Sequence, residues 1–536
     1  MRRPPSLLQT VGSISAATGL SRILGLVRDQ VQSFVFGAGA VTDAYVAAFR
    51  VPNLLRDLFA EGALSSAFVP TLTAVRTQGG AASGWRLTNR LVTALIAILL
   101  PLVVLIAVGA PWILTLYVPG FADETRALSV AMTRIVAPFL LFVALAAVAM
   151  GALNACGRFF LPALAPASFN LCSIAAVIAL APLLPRLGLH PGLALAVGAL
   201  AGGALQLGAQ LPALRREGFR FAPELAPRDP ALRRVAALMA PATFGLAATQ
   251  INILVDTILA SPYEGAVTWL SLAFRLMQLP LGLFGVAIGT ANLARVSADA
   301  ARDDAAGLRR NVAGALRAAA LLTLPATAGL IALREPIVRL LFEHGKFTAD
   351  STTKTAAAVL CYALGLYAYS LTKTQVPTFY ALGETRTPVV ASAVAVGAKI
   401  AANFALLAAL PAFGQDAFLG LALSTSLAAW INFAWLARGL RRRIGSLAGQ
   451  RVVGHAAKLA LVALAVGLAC GAAQRGLERA LGGESLGFQA LRLGGAIAAG
   501  LGVFVAGVAL IDRAALRRLV RRERGAAEAE PPEGGR

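Results

Sequence analysis

Charge is what this sequence has least of. Asp, Glu, Lys and Arg together make up 14% of its 536 residues, where a soluble domain carries about 25%. So few charges cannot coat a soluble chain of this length. Hydrophobic residues make up 58%, and the mean hydropathy is +0.73, so lipid must be the solvent for much of the chain. Cysteine is scarce as well. Cys156, Cys172, Cys361 and Cys470 show no C-x-x-C spacing and lie in or beside apolar runs, which makes them small buried hydrophobes. His190, His344 and His455 are too scattered for a metal site. Lysine occurs only at 346, 354, 373, 399 and 458. No G-x-x-x-x-G-K-[ST] loop is present, which argues against ATP hydrolysis. No segment between apolar runs is long enough for a catalytic domain, and no paired carboxylates in an outer loop could hold a metal. The expectation is a protein that is not an enzyme, with no cofactor and no metal.

What charge there is runs strongly basic, with a net +22 and a pI near 11.2. In a soluble protein that balance would point to nucleic acid. Here the arginines cluster in short segments between apolar runs, as cytoplasmic loops facing anionic lipid do. Membrane lipid is therefore the expected partner and nucleic acid is not. Runs long enough to span a bilayer lie at about 7–27, 41–75, 87–117, 126–154, 161–184, 192–213, 231–260, 266–298, 311–342, 353–380, 387–410, 417–437, 452–473 and 487–511. This predicts an all-α polytopic membrane protein of about 14 transmembrane helices. Arg2 and Arg3 precede a stretch interrupted by Gly, Ser and Thr, which reads as a polar-faced first helix rather than a cleavable leader. Arg215, Arg216, Arg220 and Arg228 follow the sixth run. Arg438, Arg441, Arg442, Arg443 and Arg451 follow the twelfth, and Arg513, Arg517, Arg518, Arg521, Arg522 and Arg524 lie in the tail. The opposite breaks carry Asp123, Glu124, Glu264 and Asp416. The positive-inside rule then puts both termini in the cytoplasm.

The chain repeats itself. Ala48-Phe49-Arg50 recurs as Ala273-Phe274-Arg275, 225 residues later, and at that offset Leu58-Phe59 matches Leu283-Phe284. Pro111, Leu116 and Gly120 match Pro336, Leu341 and Gly345. At an offset of 226, Ala155, Gly157 and Pro162 match Ala381, Gly383 and Pro388. Six spans separate the copies, an even number, so both copies share one orientation. The prediction is two parallel six-helix lobes, 1–228 and 229–445, an architecture of alternating-access transporters. Two extra transmembrane helices at 446–512 and a basic, then disordered, tail at 513–536 lie outside the repeat.

Charges within spans are costly and usually face the bundle interior. They concentrate in the first, second and eighth spans: Arg22, Arg28 and Asp29, then Asp43, Arg50, Arg56, Asp57 and Glu61, then Arg275. Arg22, Arg28, Arg50 and Arg275 facing one cavity would make a strong anion site, because guanidinium forks bind phosphate oxygens bidentately. Alternatively each pairs with a nearby carboxylate such as Asp29, Asp57 or Glu61. In the second lobe Asp256 lies late in its span, while Lys399 and Asn403 sit four apart on one helix face. An Asp256–Lys399 pair is the preferred reading over a cation site built on Asp256 and Asn403. Glu343-His344-Gly345-Lys346-Phe347 reads as a turn, with Gly345 supplying a positive φ.

The first eighty residues then show a resemblance. Ser21-Arg22-Ile23-Leu24-Gly25, Arg28-Asp29, Phe36-Gly37-Ala38-Gly39 and Thr42-Asp43-Ala44-Tyr45 resemble the opening of the MurJ (MviN) family. Pro52-Asn53-Leu54-Leu55-Arg56 and Phe59-Ala60-Glu61-Gly62-Ala63 continue it. Gln250-Ile251-Asn252, Arg275-Leu276-Met277, Gly285-Val286-Ala287-Ile288-Gly289-Thr290 and Gly345-Lys346-Phe347-Thr348 also fit. The resemblance implies the fold of the MOP exporter superfamily. It also implies a flippase of the bacterial inner membrane, acting as a monomer, for lipid II, the undecaprenyl-pyrophosphate-linked glycopeptide. It assigns Arg22, Arg28, Arg50 and Arg275 to substrate binding, with Asp29, Asp43, Asn53, Arg56 and Glu61 as supporting cavity residues. It further implies a groove for the polyprenyl tail on the two extra helices. Some relatives carry acids where this chain has Phe274 and Gln278, and some bind sodium where it has Lys399. An exporter of another substrate and a non-transporting cell-wall scaffold are the alternatives.

Overall fold

The computed structural model describes residues 7–59 and 63–511, so Glu61 and the tail at 513–536 lie outside the described residues. Among the described residues the chain is helical throughout. It forms α1 (Leu7–Phe36), α2 (Ala40–Phe59), α3 (Ala63–Tyr117), α4 (Asp123–Val136), α5 (Phe139–Ala155) and α6 (Phe160–Leu180). Next come α7 (Leu193–Gly208), α8 (Leu211–Arg216), α9 (Pro230–Ala260), α10 (Ala266–Pro280), α11 (Val286–Ala301) and α12 (Ala305–Ala332). The last are α13 (Arg334–Phe342), α14 (Ala349–Ala381), α15 (Arg386–Ala409), α16 (Leu419–Ile444), α17 (Val452–Ala480) and α18 (Leu486–Ile511).

Among the described residues, 10 segments are long and apolar enough to cross a membrane. The expected spans at 7–27, 41–75, 231–260 and 266–298 fall on α1, on α2 with the start of α3, on α9, and on α10 with α11. Polar side chains lie along all four: Arg22 and Arg28 on α1, Asp43 and Arg50 on α2, Asn252 and Asp256 on α9, Arg275 and Arg295 on α10 and α11. The run at 41–75 is thus divided between two helices. Helix α3 then continues through Gly80, whose φ of 74° turns the chain without a Cβ penalty. Its second arm leaves Ile98, Leu105, Val108, Trp112 and Leu116 exposed, as a surface solvated by lipid can.

The chain forms two compact units, Met1–Trp269 with Phe342–Ser351, and Leu270–Leu341 with Thr352–Arg536. In the first, α1 packs on α6, α6 on α7, and α3 on both α5 and α9, around buried Phe68, Phe139, Leu140 and Leu153. The segment leading into α9 is strapped to α3. Asn89 donates to the Arg220 carbonyl at 3.0 Å and accepts from Ala222 N at 3.2 Å. Arg90 bridges Glu224 and Asp229. In the second unit α15 packs on α16, α17 on α12 and α18 on α17. A π-helical turn, Leu281–Gly285, separates α10 from α11. In α17 and α18 the small residues divide into two groups. A Cβ on Gly467, Gly495 or Gly500 would meet Ala328, Leu477 or Cys470, whereas Gly471 and Gly494 face open space.

Element bounds recur at the offset seen in the residue matches. Adding 225 or 226 carries α1 onto α9, α2 onto α10, the helical stretch 123–155 onto α14, and the short 3-10 turn Leu184–Leu187 onto Leu410–Phe413. The positive-φ glycines Gly157 and Gly188 recur as Gly383 and Gly414. Two close contacts in the first unit also correspond. Gly345, in the expected turn, has φ 63°, and a Cβ there would lie 2.2 Å from the Phe34 carbonyl oxygen. Lys346 N donates to that same carbonyl at 2.9 Å. Its counterpart Gly120 lies against Pro262, where a Cβ would come within 2.5 Å of the backbone nitrogen, and Gly120 N donates to Ser261 Oγ at 3.0 Å.

These contacts set a stability expectation. Gly383→Ala carries only the positive-φ penalty, about 1–2 kcal/mol, because nothing lies within 4 Å of its added Cβ. Gly345→Ala adds a collision with backbone and should unfold at a clearly lower temperature. Thermal unfolding of the two variants in one detergent checks this, and equal melting points would remove any role for the Phe34 contact.

Candidate functional site

A guanidinium inside a helical bundle must be held by acceptors, because an unpaired buried charge is severely destabilising. Arg28, on the fifth to sixth turn of α1, is held on three sides. Its Nε and one terminal nitrogen donate to Asp29 Oδ1 at 3.2 and 2.9 Å. Its other terminal nitrogen donates to Asn170 Oδ1 at 3.1 Å. The plane lies over the Phe169 ring, 5.6 Å from its centroid, a cation–π arrangement. Asp29 is buried, and the Arg28 side chain is only 14% exposed. Phe169 belongs to an aromatic cluster with Phe49 and Phe139, ring centroids 5.1–6.2 Å apart.

The other arginines are placed differently. Arg22 is exposed on α1, two turns before Arg28. Arg50 is half-buried on α2 beside Tyr117, which Thr257 and Asp256 also approach, and its Nε is buried without a hydrogen-bond acceptor among the described residues. Asn53 and Arg56 are half-buried one turn and two turns further on, each engaged by a neighbour. Arg275 is exposed on α10 in the second unit. Beside it Phe274 packs edge-on against Tyr362 at 5.4 Å.

Asp43 holds backbone rather than arginine. It is 1% exposed and accepts from Gly265 N at 2.6 Å, Thr268 N at 2.8 Å and Thr268 Oγ1 at 2.6 Å. The carboxylate of α2 thereby caps the first turn of α10, satisfying N–H groups that a helix leaves open and opposing its dipole. Lys399 and Asn403 are both buried on α15 in the second unit. Ser424 Oγ donates to Asn403 Oδ1, so that amide is tied to α16. Asp256 is half-buried on α9 in the first unit.

Several members were not picked out from the sequence: Asn170, Phe169, Tyr117 and Thr268. Asn170 carried a signal, being a lone amide in the apolar α6. Phe169 and Tyr117 carried none, since an aromatic in an apolar helix is ordinarily core. Thr268 is the residue at the 225-residue offset from Asp43, and the two bond directly.

A bundle of apolar helices that buries paired charge at its interior is the construction of a multi-pass membrane transporter. The family model described as "Lipid II flippase MurJ" matches residues 33–482. The lipid II flippase MurJ of Burkholderia cenocepacia is 37% identical over 445 residues, 82% of this chain and 84% of that protein. The probable lipid II flippase MurJ of Vibrio cholerae is 34% identical over 466 residues, 85% and 87% of the two chains. A solved structure of lipid II flippase MurJ in an inward closed conformation superposes with a TM-score of 0.75 at 26% identity, covering 94% of this chain and 99% of that one. The chain belongs to the lipid II flippase MurJ family, and it is a transporter, not an enzyme. An inward-facing multidrug transporter of the MATE family in the MOP superfamily shares the fold, with a TM-score of 0.63 at 15% identity.

The Asp43 cap predicts a stability effect. Asp43→Ala leaves two buried backbone N–H groups and the Thr268 hydroxyl without their acceptor and should cost on the order of 3 kcal/mol. Thr268→Val removes one bond and should cost about 1 kcal/mol. Thermal unfolding orders them, and a Thr268→Val loss as large as that of Asp43→Ala would place the effect in side-chain packing instead.

Proposed function

We propose that this protein carries lipid II from the cytoplasmic to the periplasmic leaflet of a bacterial inner membrane by alternating access. Membership of the lipid II flippase MurJ family carries this reading, through a 37% identical relative spanning 82% of the chain. Lipid II bears two phosphates and a large polar head, so unassisted flipping would drag charge through hydrocarbon. Arg22, Arg28, Arg50 and Arg275 replace the water around those phosphates, with Asp29, Asp43, Asn53, Arg56 and Glu61 supporting the cavity and Asp43 also holding α2 against α10. The polyprenyl tail stays in lipid.

The architecture we infer is 14 transmembrane helices, counted as about 20 apolar residues each. Two parallel six-helix lobes, 1–228 and 229–445, are followed by a helix pair at 446–512, with both termini cytoplasmic and a monomer as the working unit. The recurrence of helix bounds supports the two lobes. So does the Asp43–Thr268 bond between residues 225 apart, because a residue that meets its own equivalent marks an axis relating two copies. Arginine-rich segments such as Arg441-Arg442-Arg443 support the orientation. Gly471 and Gly494, open on α17 and α18, support a groove there for the tail. Lys399 and Asp256 are read as a pair that takes the place of a bound cation.

Three outcomes follow. Arg28→Ala and Arg275→Ala should each abolish complementation of a flippase-depleted strain while remaining in the membrane, and lipid II should lose outer-leaflet accessibility when the protein is acutely removed. Full complementation by both variants would end the anion-cavity reading. Asp256→Asn and Lys399→Met should each be harmful and the double variant partly restored; strictly additive losses would dismiss the pair. Gly494→Trp, on the open face, should weaken lipid II binding but spare a water-soluble head-group analogue, whereas Gly495 is packed against Leu477; equal loss for both ligands would speak against a tail groove.

A further inference from the structure

We infer that Asn170 is a positioning residue for Arg28, setting which N–H groups that guanidinium turns toward a phosphate. The inference rests on reading Arg28 as a substrate-binding residue. Asn170 is 7% exposed on α6. Its Oδ1 accepts from a terminal nitrogen of Arg28 at 3.1 Å, while its Nδ2 donates to the Ser21 carbonyl at 3.0 Å. The two bonds fix the amide's orientation. Turned over, it would set an NH2 against a guanidinium, which only donates, and an oxygen against a carbonyl, which only accepts.

The donor count then becomes informative. A guanidinium has five N–H groups. Nε and one terminal nitrogen each give one to Asp29, and the other terminal nitrogen gives one to Asn170. Among the described residues one N–H is left on each terminal nitrogen, a pair suited to bidentate contact with phosphate oxygens. Asp29 alone would leave Arg28 free to swing about its long stem. Asn170 on one edge, with the adjacent Phe169 under the plane, removes that freedom, and preorganised donors bind more tightly than mobile ones.

Asn170 could instead serve only as a tie between α1 and α6. Two observations favour positioning. The tie to Ser21 needs only Nδ2, yet Oδ1 is aimed at the guanidinium. At the recurring offsets, the positions of Arg28 and Asn170 become Ile253 and Val396, so the polar constellation belongs to the first copy alone and is not a demand of the repeated helix pattern.

The test uses the full chain in detergent with purified lipid II as ligand. Four proteins are compared: wild type, Asn170→Ala, Arg28→Ala and the double variant, each with its affinity and melting temperature. Asn170→Ala should weaken binding about tenfold, the worth of roughly one hydrogen bond. In the Arg28→Ala background it should change affinity no further, though it still lowers the melting temperature. Independent, multiplying losses in affinity would overturn the positioning role, as would an Asn170→Ala affinity equal to wild type. If Arg28→Ala itself binds as wild type, the reading of Arg28 as a substrate ligand fails, a result separate from either. Should Asn170→Ala not fold, Asn170→Gln keeps both amide groups but moves the acceptor by one methylene. It should melt near wild type with weakened binding, and unchanged binding would overturn the proposal.

Discussion

An ionised side chain taken out of water must find a partner, and the interior of this bundle is arranged by where those partners stand. Asp29 and Asp43 are both buried carboxylates on the first two helices, and they solve the problem in opposite ways. Asp29 neutralises a neighbouring guanidinium. Asp43 accepts three hydrogen bonds from the start of α10 and so replaces solvent with a helix terminus. On the proposed function the first solution serves a site, since the guanidinium keeps donors to offer. The second creates a joint, since every bond Asp43 makes goes to the protein itself.

The arginines and acids of the interior sit on α1, α2, α9, α10 and α11, and apolar neighbours pack against them: α6 on α1 and α3 on α9. A transporter of a charged head group needs both kinds of helix: polar ones to replace hydration, apolar ones to meet lipid. The glycines follow a related logic. Gly345 and Gly120 are small because another backbone lies where a side chain would be, and each contact joins segments far apart in the chain.

Much of this was legible in the residues. Apolar run length, arginine placement and a 225-residue recurrence are local or periodic properties, and they named a polytopic helical membrane protein. Pairing of Arg28 with a nearby carboxylate such as Asp29 was one of two readings the residues left open, because helix neighbours one apart point about 100° from each other and meet only where packing turns both side chains to one side. The turn at Gly345 was legible, because a turn is set by neighbouring residues. What misled was the uninterrupted character of apolar runs. The stretch 41–75 looked like a single span because hydropathy reports what a segment can be buried in, not where its helix ends.

The sequence by itself therefore determined the solvent, the helical class, the repeat and the identity of the charged residues, all of which depend on side-chain chemistry and spacing along one chain. Only the tertiary structure decided which acceptor each charge would have. Asp43 and Thr268 stand 225 residues apart, and Arg28 and Asn170 stand 142 apart. No periodicity within a helix relates such positions, because the pairing is made when separate helices pack, and desolvation then leaves each buried group with whichever partner the packing brings within hydrogen-bond reach.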